Sequence, residues 1–205
     1  MLVRDRMTAN PITVTPHTPV FESLKIMRDK NIRRLPVLKD GKLVGIVTEL
    51  DLLKVSPSPA TSLSVYELNY LLAKTTIKEA MSSKLVTVTG DTPIEEAAIL
   101  MREHKIGGLP VVDEGKLVGI ITETDVFDAF VDLLGVRRGG ERIVVRAEDR
   151  AGTISELTTY LAEQGINILS LVVVHKDSGG HIVLRVTGQG SDNLANTLRA
   201  KGYEV

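Results

Sequence analysis

The chain has 205 residues, 43% hydrophobic and 25% charged, with a net charge of -1. That is enough for one large domain or two smaller ones with a core of useful size, and it lacks the basic excess of a nucleic-acid binder. The absence of cysteine excludes disulfides, thiol nucleophiles and thiolate metal sites. No apolar run approaches a membrane span, and Met1-Leu2-Val3-Arg4-Asp5-Arg6 lacks a signal peptide's apolar stretch. No membrane partner is therefore expected, and the expected location is the cytoplasm. Aromatics make up only 3%, so Val, Leu, Ile and Ala must build the core.

An internal repeat organises the first two thirds. Gly-Lys-Leu-Val-Gly-Ile begins at Gly41 and again at Gly115, an offset of 74. At that offset Met7 matches Met81, Thr13-Val14-Thr15 matches Thr87-Val88-Thr89, Leu35-Pro36-Val37 matches Leu109-Pro110-Val111, and Asp51 matches Asp125. Roughly half the positions from Met7 to Asp51 are identical without a gap, far beyond compositional coincidence. β-Branched runs at Ile12 to Thr15 and Val86 to Thr89 predict strands. Thr18-Pro19 and Thr92-Pro93 predict helix starts with proline at the first helical position. Val20, Leu24 and Met27, and Ile94, Ala98 and Met101, recur at helical spacing. Strands follow at Leu35 to Leu38 and Leu109 to Val112, then hairpin turns at Asp40-Gly41 and Glu114-Gly115. The return strands are Leu43 to Val47 and Leu117 to Ile121, and helices open near Thr48 and Thr122. The order β-α-β-β-α thus occurs twice. Between the copies, residues 56–62 have loop composition. Leu68, Leu71 and Leu72 then predict a connecting helix over 64–74.

A Gly- and charge-rich stretch, Gly135 to Glu141, marks a boundary. Beyond it the spacing predicts a strand at Arg142 to Ala147 and a turn at Glu148 to Gly152. A capping box at Thr153-x-x-Glu156 opens a helix with Leu157, Leu161 and Ala162 inward. Asn167 to His175 is an apolar strand, Asp177 to Gly180 a turn, and His181 to Thr187 a returning strand. Ser191 or Asp192 caps a last helix running to about Lys201. A short final strand is expected within Gly202 to Val205.

Gly45-Ile46-Val47-Thr48-Glu49-Leu50-Asp51 and Gly119-Ile120-Ile121-Thr122-Glu123-Thr124-Asp125 resemble the closing motif of CBS domains. Arg34-Leu35-Pro36-Val37 and Gly108-Leu109-Pro110-Val111 fit the same family. The resemblance implies a pseudo-two-fold module with two clefts for AMP, ADP, ATP, NAD or S-adenosylmethionine, bound as regulatory ligands rather than catalytic cofactors. It places nucleotide contacts at Ile12, Thr13, Arg33, Arg34, Pro36, Thr48 and Asp51, and at Val86, Thr87, Gly108, Pro110, Thr122 and Asp125. Physically, a helix N-terminus suits phosphate, a Thr hydroxyl can add a donor, and an aspartate one turn later can accept from a ribose. The same Thr-x-x-Asp spacing is also capping-box-like, and capping and binding are compatible. Arg33-Arg34 is replaced by Gly107-Gly108 in the second copy, so the clefts are expected to differ. Two guanidinium forks suit phosphate, whereas two glycines allow close approach. The alternative is that Arg33 and Arg34 are merely a solvated pair.

Asp149-Arg150-Ala151-Gly152 and Gly165-Ile166-Asn167-Ile168 resemble the first-loop and second-strand motifs of ACT domains, with Ala151 in place of a proline. That resemblance implies a ferredoxin-like βαββαβ domain. It places amino-acid contacts at Asp149, Gly152, Thr153 and Asn167, at a domain–domain interface. A turn glycine and a strand-entry asparagine would look the same. The expected class is α+β: CBS repeats at 1–60 and 76–135 around a connecting segment at 61–75, then an ACT domain at 141–205. The combination resembles acetoin-utilisation B-type bacterial proteins, and implies a homodimer that senses small molecules and signals to an unidentified effector. Two other classes remain: a scaffold with vestigial clefts, and a nucleotide-processing enzyme. For the latter, His175 and His181 flank a turn and could seed a metal site, but no third ligand is evident. No nucleophile–base pair or P-loop is present, so neither a catalytic residue nor a metal ligand is assigned.

Overall fold

The computed structural model describes all residues except 57–63, 65, 68–69, 71–73, 149 and 177–178. The loop expected at 56–62, the leucines of the connecting helix, Asp149, Asp177 and Ser178 therefore lie wholly or mainly outside the described residues. The chain divides into two compact units, Met1–Val126 and Phe127–Val205.

The first unit carries both repeats up to the start of the last helix of the second, and its geometry repeats at the same offset of 74. β2 (Arg34–Lys39) pairs with β3 (Lys42–Thr48), and β4 (Gly108–Asp113) with β5 (Lys116–Thr122). Even the irregularity in register recurs, after Val37 and after Val111. Both hairpins close through two residues with positive φ, Asp40 (51°) and Gly41 (75°), and Glu114 (50°) and Gly115 (75°). Those angles match the I′ turn whose twist suits a tight hairpin. α1 (Val20–Asp29) and α4 (Ile94–His104) precede the hairpins, while α2 (Glu49–Val55) and α5 (Glu123–Leu133) follow them. Among the described residues, the second repeat opens with a short helix, α3 (Ile77–Ala80).

Each repeat is completed by a segment from the other. β1 (Thr8–Ala9) pairs antiparallel with β5, Thr8 opposite Ile120 and Ala9 opposite Gly119. At the matching position Ser82 and Ile46 exchange two backbone hydrogen bonds of 2.9 and 3.0 Å. Val3 donates to the Thr92 carbonyl, and Ile77 donates to that of Thr18. Both side chains are fully buried, and Ile77 lies in one cluster with Val14, Val20, Met27, Leu35, Val37, Val47 and Leu52. The repeated glycines make this crossing possible. A Cβ on Gly45 would stand 2.8 Å from the Met81 sulfur and 3.1 Å from the Ser82 carbonyl oxygen. One on Gly119 would collide with the Met7 sulfur and stand 3.2 Å from the Thr8 oxygen.

Several expectations are corrected. The strands expected at Ile12 to Thr15 and Val86 to Thr89 shrink to single parallel bridges, Val14 to Val37 and Val88 to Val111. The Thr15 and Thr89 N–H groups go instead to the hydroxyls of Thr18 and Thr92, at 3.0 and 3.1 Å, which bends the chain out of the ladder. Pro19 and Pro93 are helix caps in extended conformation rather than first helical residues. The inward residue of α4 is Ala97 in place of Ala98.

The second unit is an antiparallel sheet in the order β6-β8-β7, from β6 (Glu141–Ala147), β7 (Asn167–Lys176) and β8 (Gly179–Thr187). Arg146 bridges Glu204 on the outer side of β6, where its N–H donates to the Glu204 carbonyl at 2.8 Å. The last strand is thus present as one bridge in its ferredoxin-like place, beside the first strand. Leu157, Tyr160 and Leu161 of α6 (Thr153–Glu163) and Leu194 and Leu198 of α7 (Leu194–Ala200) pack on Ile143, Val145, Ile182, Leu184 and Val186. Ala162 is exposed and Tyr160 takes the inward position. No Thr153–Glu156 capping box forms: the Thr153 hydroxyl donates to the Glu148 carbonyl, and Glu156 pairs with Arg150. Ser191 begins a 3-10 turn, and α7 starts at Leu194 with Asn193 as its cap. Gly179 and Gly180 belong to β8 rather than to a turn. The 134–140 boundary is tied to the sheet, since Arg185 donates to the carbonyls of Leu134, Gly139 and Gly140, and the Ser170 hydroxyl donates to that of Leu134.

Gly119→Val should overpack the crossing at Met7 and Thr8. The expected cost is about 1–3 kcal/mol, read as a lower denaturation midpoint with an unchanged m-value. Gly115→Val leaves that crossing untouched, because a Cβ there meets nothing within 4 Å, and acts only through its left-handed turn.

Candidate functional site

The two strand-to-helix junctions are near copies. In the first, Asp51 Oδ2 accepts from the Thr48 N–H (3.0 Å) and hydroxyl (2.6 Å), and the Asp51 N–H donates back to the Thr48 hydroxyl (3.2 Å). In the second, Asp125 Oδ2 accepts from the Thr122 N–H (2.8 Å) and hydroxyl (2.7 Å). The full reciprocal box forms at Thr48, and at Thr122 the carboxylate half of it forms. The arrangement commits each hydroxyl proton to the aspartate, so the threonines are not ready-made donors to a ligand. It also fixes each carboxylate in place, with one oxygen held by the cap. Lys54 Nζ stands 3.9 Å from Asp51 Oδ1. The matching residue of the second repeat is Asp128, which pairs with Arg137.

A cavity of about 330 Å³ opens beside the second junction. Its walls are Thr8, Asn10, Pro11 and Ile12 after β1, then Asn31, Ile32, Arg33 and Arg34 before and at the start of β2, and Ile120, Thr122, Thr124 and Asp125 from the second repeat. The cavity thus joins segments that lie over a hundred residues apart in the chain, and the crossing of β1 onto β5 brings them together. It unites five of the residues singled out from sequence: Ile12, Arg33, Arg34, Thr122 and Asp125. Thr13, Pro36, Thr48, Asp51, Val86, Thr87, Gly108 and Pro110 are not in its lining. Pro36 and Pro110 are buried in β2 and β4, and their carbonyls accept from Val14 and Val88. Val86 is half-buried and Thr87 exposed.

Asn10 and Asn31 were missed from sequence. Both adopt positive φ, 48° and 51°, a conformation asparagine tolerates well. Asn10 before Pro11, and Asn31 just after a helix, were the available signals.

The contrast between Arg33-Arg34 and Gly107-Gly108 has a direct structural counterpart. A side chain on Gly107 would collide with Arg34 Nη2, and its Cβ would be 2.7 Å from Glu123 Oε2. A Cβ on Gly108 would be 3.1 Å from Arg34 Cδ and 3.2 Å from its Nε. Arg34 therefore lies along the glycine backbone, half-buried, and ends beside Glu123. The close approach permitted by the glycines is made by an arginine of this chain. Burial and then Arg33 draw the Arg34 guanidinium below its ordinary value, while Glu123 opposes them. An arginine stays charged under such shifts.

In the second unit, Ala147, Glu148, Arg150, Thr153, Ile154, Val173, His175, Gly180 and Ile182 surround a smaller cavity of about 140 Å³. Thr153 lines it, while Gly152 (φ 96°) turns the chain into α6. Asn167 opens β7 at the opposite end of the sheet, paired with Thr187. At about 3.3 Å per residue it lies some 20 Å or more from the loop. The Arg150 guanidinium donates to both oxygens of Glu156 at 3.0 and 2.8 Å and holds its carboxyl below the usual range. His181 sits opposite Val174, and His175 opposite Gly180. Strand alternation thus puts the two histidines on opposite faces, so they do not form a metal pair.

Comparison with known proteins agrees with this architecture. The CBS domain model matches residues 3–58 and 77–132, and the ACT domain model matches residues 142–200. A solved putative acetoin utilization protein (AcuB) from Vibrio cholerae is 32% identical, with a TM-score of 0.56 over 69% of this chain and 98% of that one. The CBS domain pair of protein MJ0100, solved in complex with 5-methylthioadenosine and S-adenosyl-L-methionine, is 34% identical, with a TM-score of 0.54 over 64% of this chain and 97% of that one. CBSX2 in complex with AMP is 36% identical, with a TM-score of 0.53 over 64% of this chain and 96% of that one; CBSX2 is a CBS-pair protein of Arabidopsis thaliana. The L-aspartate semialdehyde sulfurtransferase of Methanocaldococcus jannaschii is 34% identical over 131 residues, and the match spans 63% of this chain but only 23% of that enzyme. With both repeats and the following domain matched, the chain belongs to the CBS-domain family and carries an ACT domain C-terminal to its CBS pair.

Proposed function

We propose that the protein is a ligand-sensing regulator, not an enzyme, whose cleft between Arg33-Arg34 and Asp125 binds a phosphorylated adenosine compound. The observation that carries this reading is the cavity itself: a capped carboxylate of one repeat and two arginines of the other line the same cavity of about 330 Å³. A nucleoside phosphate has the complementary layout, with ribose hydroxyls to donate to Asp125 and phosphate oxygens to accept from arginine forks. The relatives solved with AMP, 5-methylthioadenosine or S-adenosyl-L-methionine support the adenosine part. The junction at Thr48 and Asp51 is the second, weaker cleft, with Lys54 as its nearby cation. The loop at Glu148 to Thr153 is the proposed amino-acid site of the ACT domain. Asn167 lies too far away to share that site within one chain, so a site using both takes them from two copies. This supports a homodimer, acting in the cytoplasm on an effector protein. Among the described residues no helix is long and apolar enough to cross a membrane, and no group of three or more His, Asp or Glu is placed to hold a metal ion.

A ligand at 100 times its dissociation constant stabilises the folded protein by about 2.7 kcal/mol. Thermal shift with AMP, ADP, ATP, NAD and S-adenosylmethionine should therefore give a rise of about 5–10 °C with at least one of them. Asp125→Ala should remove most of that rise and Asp51→Ala less. No rise with any of the five would overturn the adenosine reading and leave a scaffold acting through protein contacts.

Arg34→Ala should weaken a phosphorylated ligand but not its uncharged counterpart, and should flatten the dependence of affinity on salt. Calorimetry at two ionic strengths reads both, and equal affinities in variant and parent would take Arg34 out of the site.

Light scattering at micromolar concentration should give twice the chain mass. A monomer there would remove the shared ACT site.

A further inference from the structure

Arg34 connects the two repeats at the cleft, and it is half-buried rather than in open solvent. It runs along the Gly107–Gly108 backbone and stops beside Glu123, the first residue of α5. The same arginine lines the cavity, and so do Thr122 and Thr124, the residues on either side of Glu123. Arg33, Arg34 and Asp125 line the cavity, and Glu123, which is not in that lining, stands beside the Arg34 guanidinium. Asp125 is held by Thr122 and lines the cavity. Glu123 has no part in those bonds. It is exposed, yet it sits where it opposes whatever the Arg34 guanidinium would otherwise attract.

We propose that Glu123 is the specificity-determining residue of this cleft, a charge filter that offsets Arg34 and penalises a ligand in proportion to its negative charge. The inference rests on the adenosine reading above. It names the ligand class more narrowly: adenosine compounds with few phosphates, for which one guanidinium is sufficient and a second anion nearby is tolerable. A triphosphate gains the same arginines but meets Glu123 with more charge. The matching residue of the first repeat is Glu49; the second repeat has Gly108 where the first has Arg34, so Glu49 has no counterpart of Arg34 from the other repeat, and its neighbour is Arg33 of its own repeat, whose carbonyl accepts from the Glu49 N–H.

The test is calorimetry on the full chain at low salt, with 5-methylthioadenosine, AMP and ATP as probes, for the parent, Glu123→Gln and Glu49→Gln. Removing one partly exposed charge should tighten ATP by about 2- to 5-fold and AMP by less, and leave uncharged 5-methylthioadenosine where it was. Glu49→Gln should show no such gradient. A uniform change across the three probes would mean that Glu123 only supports the start of α5. Loss of AMP affinity would mean that Glu123 holds the ligand, and an equal gradient in Glu49→Gln would mean that net charge alone is at work. Each of those three results overturns the filter while keeping the cleft. If none of the probes binds the parent protein, the adenosine reading falls, and the filter with it.

Discussion

Two short stretches of backbone, residues 3–9 and 77–82, lie across the hairpins of the opposite repeats, and the rest of the first unit depends on them. A two-stranded hairpin alone is marginal and needs further elements packed on its apolar face. Val3 and Ile77 supply the missing side chains, each in the repeat to which it does not belong by sequence. The crossing needs a strand without side chains at one place, and Gly45 and Gly119 provide it. A glycine weakens an isolated strand through its backbone entropy. Here that loss is offset by the buried valine or isoleucine that arrives with the crossing segment. The same crossing makes the cleft, because β1 delivers Asn10 to Ile12 to the cavity that Asp125 also lines.

Once the repeats are interlocked, their differences become complementary rather than random. Arg34 in one copy and Gly107-Gly108 in the other fit together, since the arginine occupies the volume that the missing side chains leave. A twofold arrangement of two identical repeats would put two arginines, or two gaps, at the same axis. Divergence resolves both problems and makes the two clefts unequal. The aspartates, by contrast, are retained in both copies, because each secures a helix N-terminus whether or not a ligand is present.

The ACT domain shows the same economy on a smaller scale. With about 65 residues it has a modest core, and two helices cover one face of its sheet. Its C-terminal strand contributes one bridge and one ion pair, Arg146 with Glu204. Arg185 and Ser170 bind the carbonyls at the end of α5 and the glycines that follow. The segment that looks like a free linker by composition is thereby held against the sheet.

Local signals determined a good deal by themselves. The offset of 74, the I′ turns at Asp40-Gly41 and Glu114-Gly115, the caps at Thr48 and Thr122 and most strand limits follow from interactions within a few residues, so they are legible in the sequence. The ACT strands are legible for the same reason, through alternation over several residues. Tertiary structure decided what depends on partners far along the chain. Thr15 and Thr89 left their strands for a hydroxyl three residues away. Thr153 abandoned its capping box for the Glu148 carbonyl, and Glu156 turned to Arg150. The crossing of 3–9 and 77–82 left no periodic mark, since its signature is a glycine at the receiving strand rather than a pattern in the segment that crosses. The cleft was half visible: Arg33, Arg34, Thr122 and Asp125 stand out by comparing one repeat with the other. Which copy's arginines face which copy's aspartate, and that Glu123 stands beside them, is settled only when the two repeats pack, because charge and shape complementarity between distant segments has no period to read.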